Sequence, residues 1–242
     1  MDKIEVFLKK HVDGLKNMIA DLNAQVDRLL VVPFDQKKPE AAAEVAIKKT
    51  KIALIVGHSH ESQGAVNYLG ETEFSFNSRI AARVEKLFLE RDSIVDLKVF
   101  FRPDGVVPTA IKKVGKAVGE WGAEASVELH FNSFKTEASG CEALVLRGGG
   151  FVPIETDFLT CFFDKFHKDF GIKRRGLKIV EKGESGFLNL KAVKDNGVKM
   201  AFLFEPCFGN FKTKESQAVF ENEEKYARFL CDQLIALAKT LN

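Results

Sequence analysis

The chain has 242 residues, 45% of them hydrophobic and 29% charged, enough to bury the core of one α/β domain of ordinary size and to carry an appendage. Its 36 basic and 34 acidic residues leave a formal net charge of +2, so there is no polyelectrolyte signature and no nucleic-acid partner is expected. Cys141, Cys161, Cys207 and Cys231 contain no C-x-x-C pair, which excludes a zinc ribbon or a dense disulfide framework and predicts reduced thiols.

At the N-terminus, charges at Asp2, Lys3, Glu5, Lys9 and Lys10 have no apolar core behind them, so the reading is that no secretory signal is present. No apolar run is long enough to span a membrane. The expectation is a chain made and held in the cytoplasm until it is released. Leu8, Leu15, Leu22 and Leu29 recur every seven residues, and Val12, Ile19 and Val26 fall four residues after the first three of them, the alternation of an a/d seam. β-branched residues at a with Leu at d favour a parallel two-stranded coiled coil, although Gly14 costs about 1 kcal/mol of helix stability. Residues 1–31 are therefore expected to form an N-terminal amphipathic or coiled-coil helix that joins copies of the chain through residues 8–29. The other reading is one helix folded back on the domain. Pro33, Pro39 and the Ala- and charge-rich stretch after them mark residues 32–50 as a linker.

Residues 51–242 read as the main domain. Ile52 to Val56 is a continuous apolar run stopped by Gly57, as in a buried parallel strand. Phe76, Ile80, Val84, Leu87 and Phe88 keep a 3.6-residue period after Glu73 and predict a helix. Val95–Phe101 alternates like a strand, 108–120 suits a helix, and Ala125–Leu129 is a strand ending at His130. Further on, Cys141–Leu146 is a strand, Asp157–Phe170 a helix, Met200–Phe204 a strand ending at Glu205, and Lys214–Leu241 one long closing helix. Alternating strands and helices predict an α/β fold: an open, mostly parallel twisted sheet with helices on both faces.

In such sheets ligands gather at the carboxyl ends of the strands. His58, Glu73, His130 and Glu205 all fall at strand ends or at the start of a helix. Two neutral imidazoles and a carboxylate would leave a fourth position on a zinc ion for water, with a second carboxylate free to move its proton. His60 and Glu71 compete with His58 and Glu73 for the same places. Glu128 lies two residues before His130 on the same face, so it either holds an imidazole N–H or pairs with a Lys. His11 and His167 lie on amphipathic helices and read as solvated. The triplet Gly148-Gly149-Gly150 lacks the Lys-Ser/Thr ending of a phosphate loop.

Five segments, in this order and spacing, carry a resemblance: Val56-Gly57-His58 with Gly64-Ala65, Glu73-Phe74-Ser75-Phe76-Asn77, Val127 to Asn132, Arg175-Gly176-Leu177-Lys178, and Phe204 to Asn210. Over roughly residues 51–240 they resemble the zinc-dependent N-acetylmuramoyl-L-alanine amidases of bacterial and phage cell-wall hydrolysis. The resemblance implies His58, Glu73 and His130 as zinc ligands and Glu205 as the catalytic carboxylate. It favours His58 over His60 at the strand end, and Glu73 over Glu71 by its spacing to Asn77. The family commonly has Gly where Ser59 and Cys207 stand here. The implied substrate is peptidoglycan, cut between N-acetylmuramic acid and L-alanine, and the implied setting is a phage-type endolysin. Arg174, Arg175 and Asn132 are candidates for substrate contact. Residues 134–150 and 181–190, with Gly140, Gly148-Gly149-Gly150, Gly183 and Gly186, read as loops bordering the cleft. Another zinc exopeptidase or deacylase, or a non-catalytic oligomerising wall-binding protein, are the alternative readings.

Overall fold

The computed structural model describes residues 48–91, 94–150 and 152–242, together with Lys16. The heptad seam and the linker up to residue 47 lie outside the described residues. Six strands form one sheet: β1 (Thr50–Val56), β2 (Val95–Phe101), β3 (Ala125–Leu129), β4 (Cys141–Leu146), β5 (Arg174–Val180) and β6 (Met200–Glu205). Among the described residues six further elements are helices: α1 (Glu73–Leu89), α2 (Val107–Glu120), α3 (Val152–Phe170), α4 (Phe187–Lys194), α5 (Lys214–Phe220) and α6 (Glu223–Leu241). The sheet order is β2-β1-β3-β6-β4-β5.

The expected open, mostly parallel architecture is present, with one reversal. β2, β1, β3 and β6 run parallel, β6 meets β4 antiparallel, and β5 runs with β4. The carboxyl ends of β1, β3 and β6 therefore share an edge with the beginnings of β4 and β5. The chain leaves β1 for β2 on one side and then returns for β3 on the other, which makes the β1/β3 boundary a topological switch point, where such sheets open a crevice.

Strand residues alternate between two cores, as a period of two requires. Ile52, Leu54 and Val56 face α1, α3 and α6, whereas Ala53 and Ile55 face α2 and α4. The abundance of Phe has its explanation on the first of these faces. Phe162 lies 4.7 Å from Phe204 and 5.1 Å from Phe229, centroid to centroid, and Phe166 lies 5.2 Å from Phe204, all three edge-on or tilted as ring quadrupoles prefer.

Several predicted elements differ in detail. The closing helix is two helices, broken at Glu221-Asn222, where Asn222 leaves helical geometry (φ −131°, ψ 46°) and α6 begins anew. The helix expected from Asp157 begins earlier, at Val152, with Pro153 in the first turn, where its missing N–H is not needed. The expected 181–190 loop is partly helix, because α4 starts at Phe187. β5 is an edge strand that the apolar pattern does not announce.

Candidate metal centre and active-site cleft

β1 ends at Val56, and Gly57 donates its N–H to the Leu129 carbonyl at 3.0 Å, so the ends of β1 and β3 are tied before either histidine begins. His58 then turns with φ +67°, the single non-glycine in the left-handed region among the described residues. That conformation is uncommon, though His tolerates it better than most side chains. Glu73 opens α1, behind the Thr72 cap, whose hydroxyl accepts the Ser75 N–H at 3.2 Å.

The three side chains converge. Glu73 Oε2 lies 3.1 Å from His58 Nε2, and Glu73 Oε1 lies 3.1 Å from His130 Nδ1. One ligand atom from each residue falls within 4.8 Å of the others. The same carboxylate accepts two backbone N–H groups, from Ala65 at 2.9 Å and Phe131 at 3.0 Å. Burial works against its charge, yet the hydrogen bonds from His130 and His58 hold the Glu73 carboxyl well below the usual carboxylate range. Burial likewise works against charge on His130, but Glu128 and Glu73 outweigh it and lift the imidazole to about 10. Glu73 and Glu128 thus place a carboxylate at each nitrogen of the His130 ring.

Two glycines make the close approach possible. A Cβ on Gly57 would meet His130 Cε1 and Nε2 at 2.5 Å, and one on Gly64 would meet Glu73 Oε2 at 2.6 Å and His58 Nε2 at 2.7 Å. Two histidines and a carboxylate, closely nested and mostly buried, form a donor set that fits a zinc ion with an open position.

Glu205 ends β6 beside them. His130 donates its backbone N–H to the Phe204 carbonyl at 3.0 Å, which places Glu205 directly across from the metal cluster. Burial pushes the Glu205 carboxyl up to about 8; the His130 charge opposes this, and the facing Glu142 carboxylate adds to it. Glu142 stands opposite Glu205 in the antiparallel β4–β6 register.

The family model described as N-acetylmuramoyl-L-alanine amidase matches residues 52–230. The chain belongs to this family. It is therefore an enzyme, an amidase of the N-acetylmuramoyl-L-alanine type. Solved structures share its fold. The catalytic domain of the amidase CwlV from Bacillus (Paenibacillus) polymyxa var. colistinus matches with a TM-score of 0.57 and 20% identity, over 79% of this chain and 99% of that one. An N-acetylmuramoyl-L-alanine amidase from Clostridium difficile 630 gives a TM-score of 0.61 at 13% identity, over 79% and 98%. The catalytic domain of an endolysin targeting Clostridium difficile gives 0.60 at 20%, over 77% and 97%. No curated protein sequence matches the chain.

In this amidase a cleft of about 300 Å³ opens over Glu205, lined also by Asn132, Phe134, Glu142, Arg175, Lys178 and Phe208. Arg175 donates to Glu142 at 2.7 Å and stacks 5.0 Å from the Phe208 ring centroid. Burial opposes ionisation of Glu142, but the Arg175 hydrogen bond holds its carboxyl below the usual value. Arg174, one position earlier and so on the other face of the strand, pairs with Asp164 on α3 and does not line the cleft. Asn132 does line it, with its side-chain amide given to Glu142 at 2.8 Å. Its backbone is strapped to the segment after Glu205 by Asn132 N–H to Cys207 O at 2.9 Å and Gly209 N–H to Asn132 O at 2.8 Å. Cys207 turns inward and is fully buried, beneath the cleft rather than in it.

The competing residues are accounted for. His60 is exposed and outside the cluster, and Glu71 is taken by Arg79, with Nη2 to Oε2 at 2.8 Å. Asn77, buried at the second turn of α1, donates to the Leu129 carbonyl at 3.2 Å and so fixes the helix to the end of β3. Glu128 accepts from His130 Nε2 and is paired with Arg102, not with a Lys. His167 bonds the Ile172 carbonyl at 2.9 Å beyond the end of α3. Sequence reasoning passed over Glu142, Arg102 and Asn189, and quoted Lys178 only as part of the Arg175–Lys178 segment. Only a β4–β6 register, which no local pattern encodes, would have brought Glu142 to the site.

Two outcomes follow. Gly57→Ala, whose Cβ would meet the Leu129 carbonyl oxygen as well as the His130 ring at 2.5 Å, should displace the ring and loosen the β1–β3 junction, lowering zinc affinity roughly 10-fold or more; isothermal titration of both proteins with zinc, with folding followed by circular dichroism, checks this. Glu205 titrates higher in the folded amidase, about 8, than the ordinary value of 4.5, so its contribution to the metal-free protein is present below pH 4.5 and is lost as pH rises to 8. Glu205→Gln removes that loss, so denaturant unfolding in chelator should show its stability advantage over wild type growing between those two pH values and flat above.

Proposed function

We propose that the amidase hydrolyses the amide between the lactyl group of N-acetylmuramic acid and the L-alanine of the stem peptide, with zinc held by His58, Glu73 and His130. What supports this most is the convergence of three donor atoms within 4.8 Å beside a buried carboxyl, Glu205, that is not one of them. Zinc would supply a Lewis acid that polarises the scissile carbonyl and makes water nucleophilic near neutral pH.

The protein's own groups perform the remaining steps. Glu205 accepts the proton of the attacking water at its carboxylate and returns it to the departing amine of L-alanine. Its burial raises its affinity for that proton, whereas Glu142, paired with Arg175, stays ionised. Two neighbouring carboxyls with proton affinities pushed apart are the arrangement that divides acid–base work from charge stabilisation. Arg175 and Lys178 present positive charge along the cleft wall, where the carboxylates of the stem peptide would lie, and Asn132 lines the same cleft.

The setting we infer is that of a phage-type endolysin, held in the cytoplasm until release to the wall. It is supported by the likeness to an endolysin catalytic domain, and bacterial amidases share that likeness. No helix among the described residues is long and apolar enough to cross a membrane. Residues 51–242, with Thr50 at the start of β1, act in this reading as the catalytic domain, 32–49 as a linker, and 1–31 as a helix pairing copies through residues 8–29. Two catalytic domains on one polymer would gain avidity without new contacts.

Glu205→Ala should keep about one zinc per chain and lose roughly 10²–10⁴-fold in turnover. His58→Ala should lose metal and activity together. Product analysis on purified sacculi reads the reaction by the appearance of free N-terminal L-alanine, and undiminished digestion by Glu205→Ala would refute the role assigned to it. Deleting residues 1–45 should convert a dimer to a monomer in sedimentation; an unchanged number of chains per particle rules out pairing through the heptads.

A further inference from the structure

The geometry points to Glu128 as a positioning residue of the metal centre: it fixes the His130 ring with its proton on Nε2 and its Nδ1 lone pair turned to the metal, and is itself held by Arg102 and Asn189. This rests on the reading of His130 as a zinc ligand. His130 Nδ1 faces the Glu73 and His58 side, 3.1 Å from Glu73 Oε1, and Nε2 faces away from it, 3.1 Å from Glu128 Oε1. A neutral imidazole has one N–H, and an ionised carboxylate can only accept. With a metal ion on the Glu73 and His58 side taking the Nδ1 lone pair, the ring's one N–H is on Nε2, where the Glu128 carboxylate accepts it.

The same oxygen is the meeting point of three donors from three elements. Besides His130 at the end of β3, Arg102 Nη2 beyond β2 reaches it at 3.0 Å and Asn189 Nδ2 on α4 at 2.6 Å. Arg102 and Glu128 are nearly sealed from solvent, with side chains 5% and 7% exposed. A buried guanidinium needs a carboxylate partner, so Arg102 keeps Glu128 ionised, and Asn189 limits where its oxygen can lie. A carboxylate behind a ligating imidazole both orients the ring and raises its basicity, and loss of such a partner weakens metal binding 10–100-fold.

A purely structural ion pair predicts a different result, and metal affinity separates the two. Zinc dissociation constants are measured on the full chain by competition with a chromophoric chelator, with folding followed by circular dichroism. Glu128→Ala leaves Arg102 buried without its partner and can fail to fold, so the double variant Arg102→Met with Glu128→Leu replaces the pair by apolar side chains, a change cores tolerate. The folded double variant should bind zinc roughly 10–100-fold more weakly than wild type. Affinity within threefold of wild type overturns the positioning role. His130→Ala is measured alongside: if it binds zinc as tightly as wild type, the assignment of His130 as a ligand is what fails, and with it this inference.

Discussion

The site hangs on one carboxylate. Glu73 is shared among two imidazoles and the backbone N–H groups of Ala65 and Phe131, so three stretches of chain, at His58, Ala65 and His130-Phe131, meet on its two oxygens. Being the first residue of α1, it cannot move without the helix, and Asn77 one turn on anchors that helix to the end of β3. The loop from Gln63 to Thr72 has to fold back to reach it, which it does through Phe74 N–H to Gln63 O at 3.1 Å and Glu73 N–H to Ala65 O at 2.9 Å. A buried charge with fewer partners would cost several kcal/mol. Here that cost is offset by hydrogen bonds that simultaneously assemble the donor set.

The reversed pair β4–β5 completes what the parallel strands begin. In an all-parallel sheet the edge beside Glu205 would carry only strand ends. Here the beginnings of β4 and β5 arrive there instead, delivering Glu142 opposite Glu205 and Arg175 beside both. Glu205 thus has the His58, Glu73 and His130 side chains on one side and a carboxylate held by a guanidinium on the other. The Pro206-Cys207 departure from the family pattern is absorbed into the scaffold, since Cys207 contributes its carbonyl to Asn132 and sends its side chain into the core.

What the sequence disclosed was whatever is written locally. Apolar runs stopped by Gly57, His130 and Glu205 mark strand ends by composition alone, so three of the four site residues and the sheet edge they share were legible. The periodicity of α1 located Glu73. Features set by register or by partners were not. Arg174 and Arg175 are equivalent neighbours in the sequence, and only the pairing of β5 with β4 tells which of them faces the cleft. β5 itself is an edge strand whose residues are mostly exposed, so it lacks the alternation that marks a half-buried strand. The apolar period runs on through Glu221-Asn222, which hid the break between α5 and α6. Asn189 sits on a helix of only 8 residues whose start follows a left-handed Gly186, a place that reads as loop.

The order of the strands also bears on how the enzyme comes into being. β1 pairs with β3 and β3 with β6, partners separated by some seventy residues each, and the site draws on positions from 58 to 205. Such non-local parallel pairings pay their loop-closure entropy before any contact rewards it, and they form late and slowly. No subset of the chain short of nearly the whole sheet holds the metal cluster and Glu205 together. On the mechanism proposed above, a nascent or partly unfolded molecule is inert by construction, and the capacity to cut its polymer comes only with the whole sheet in place.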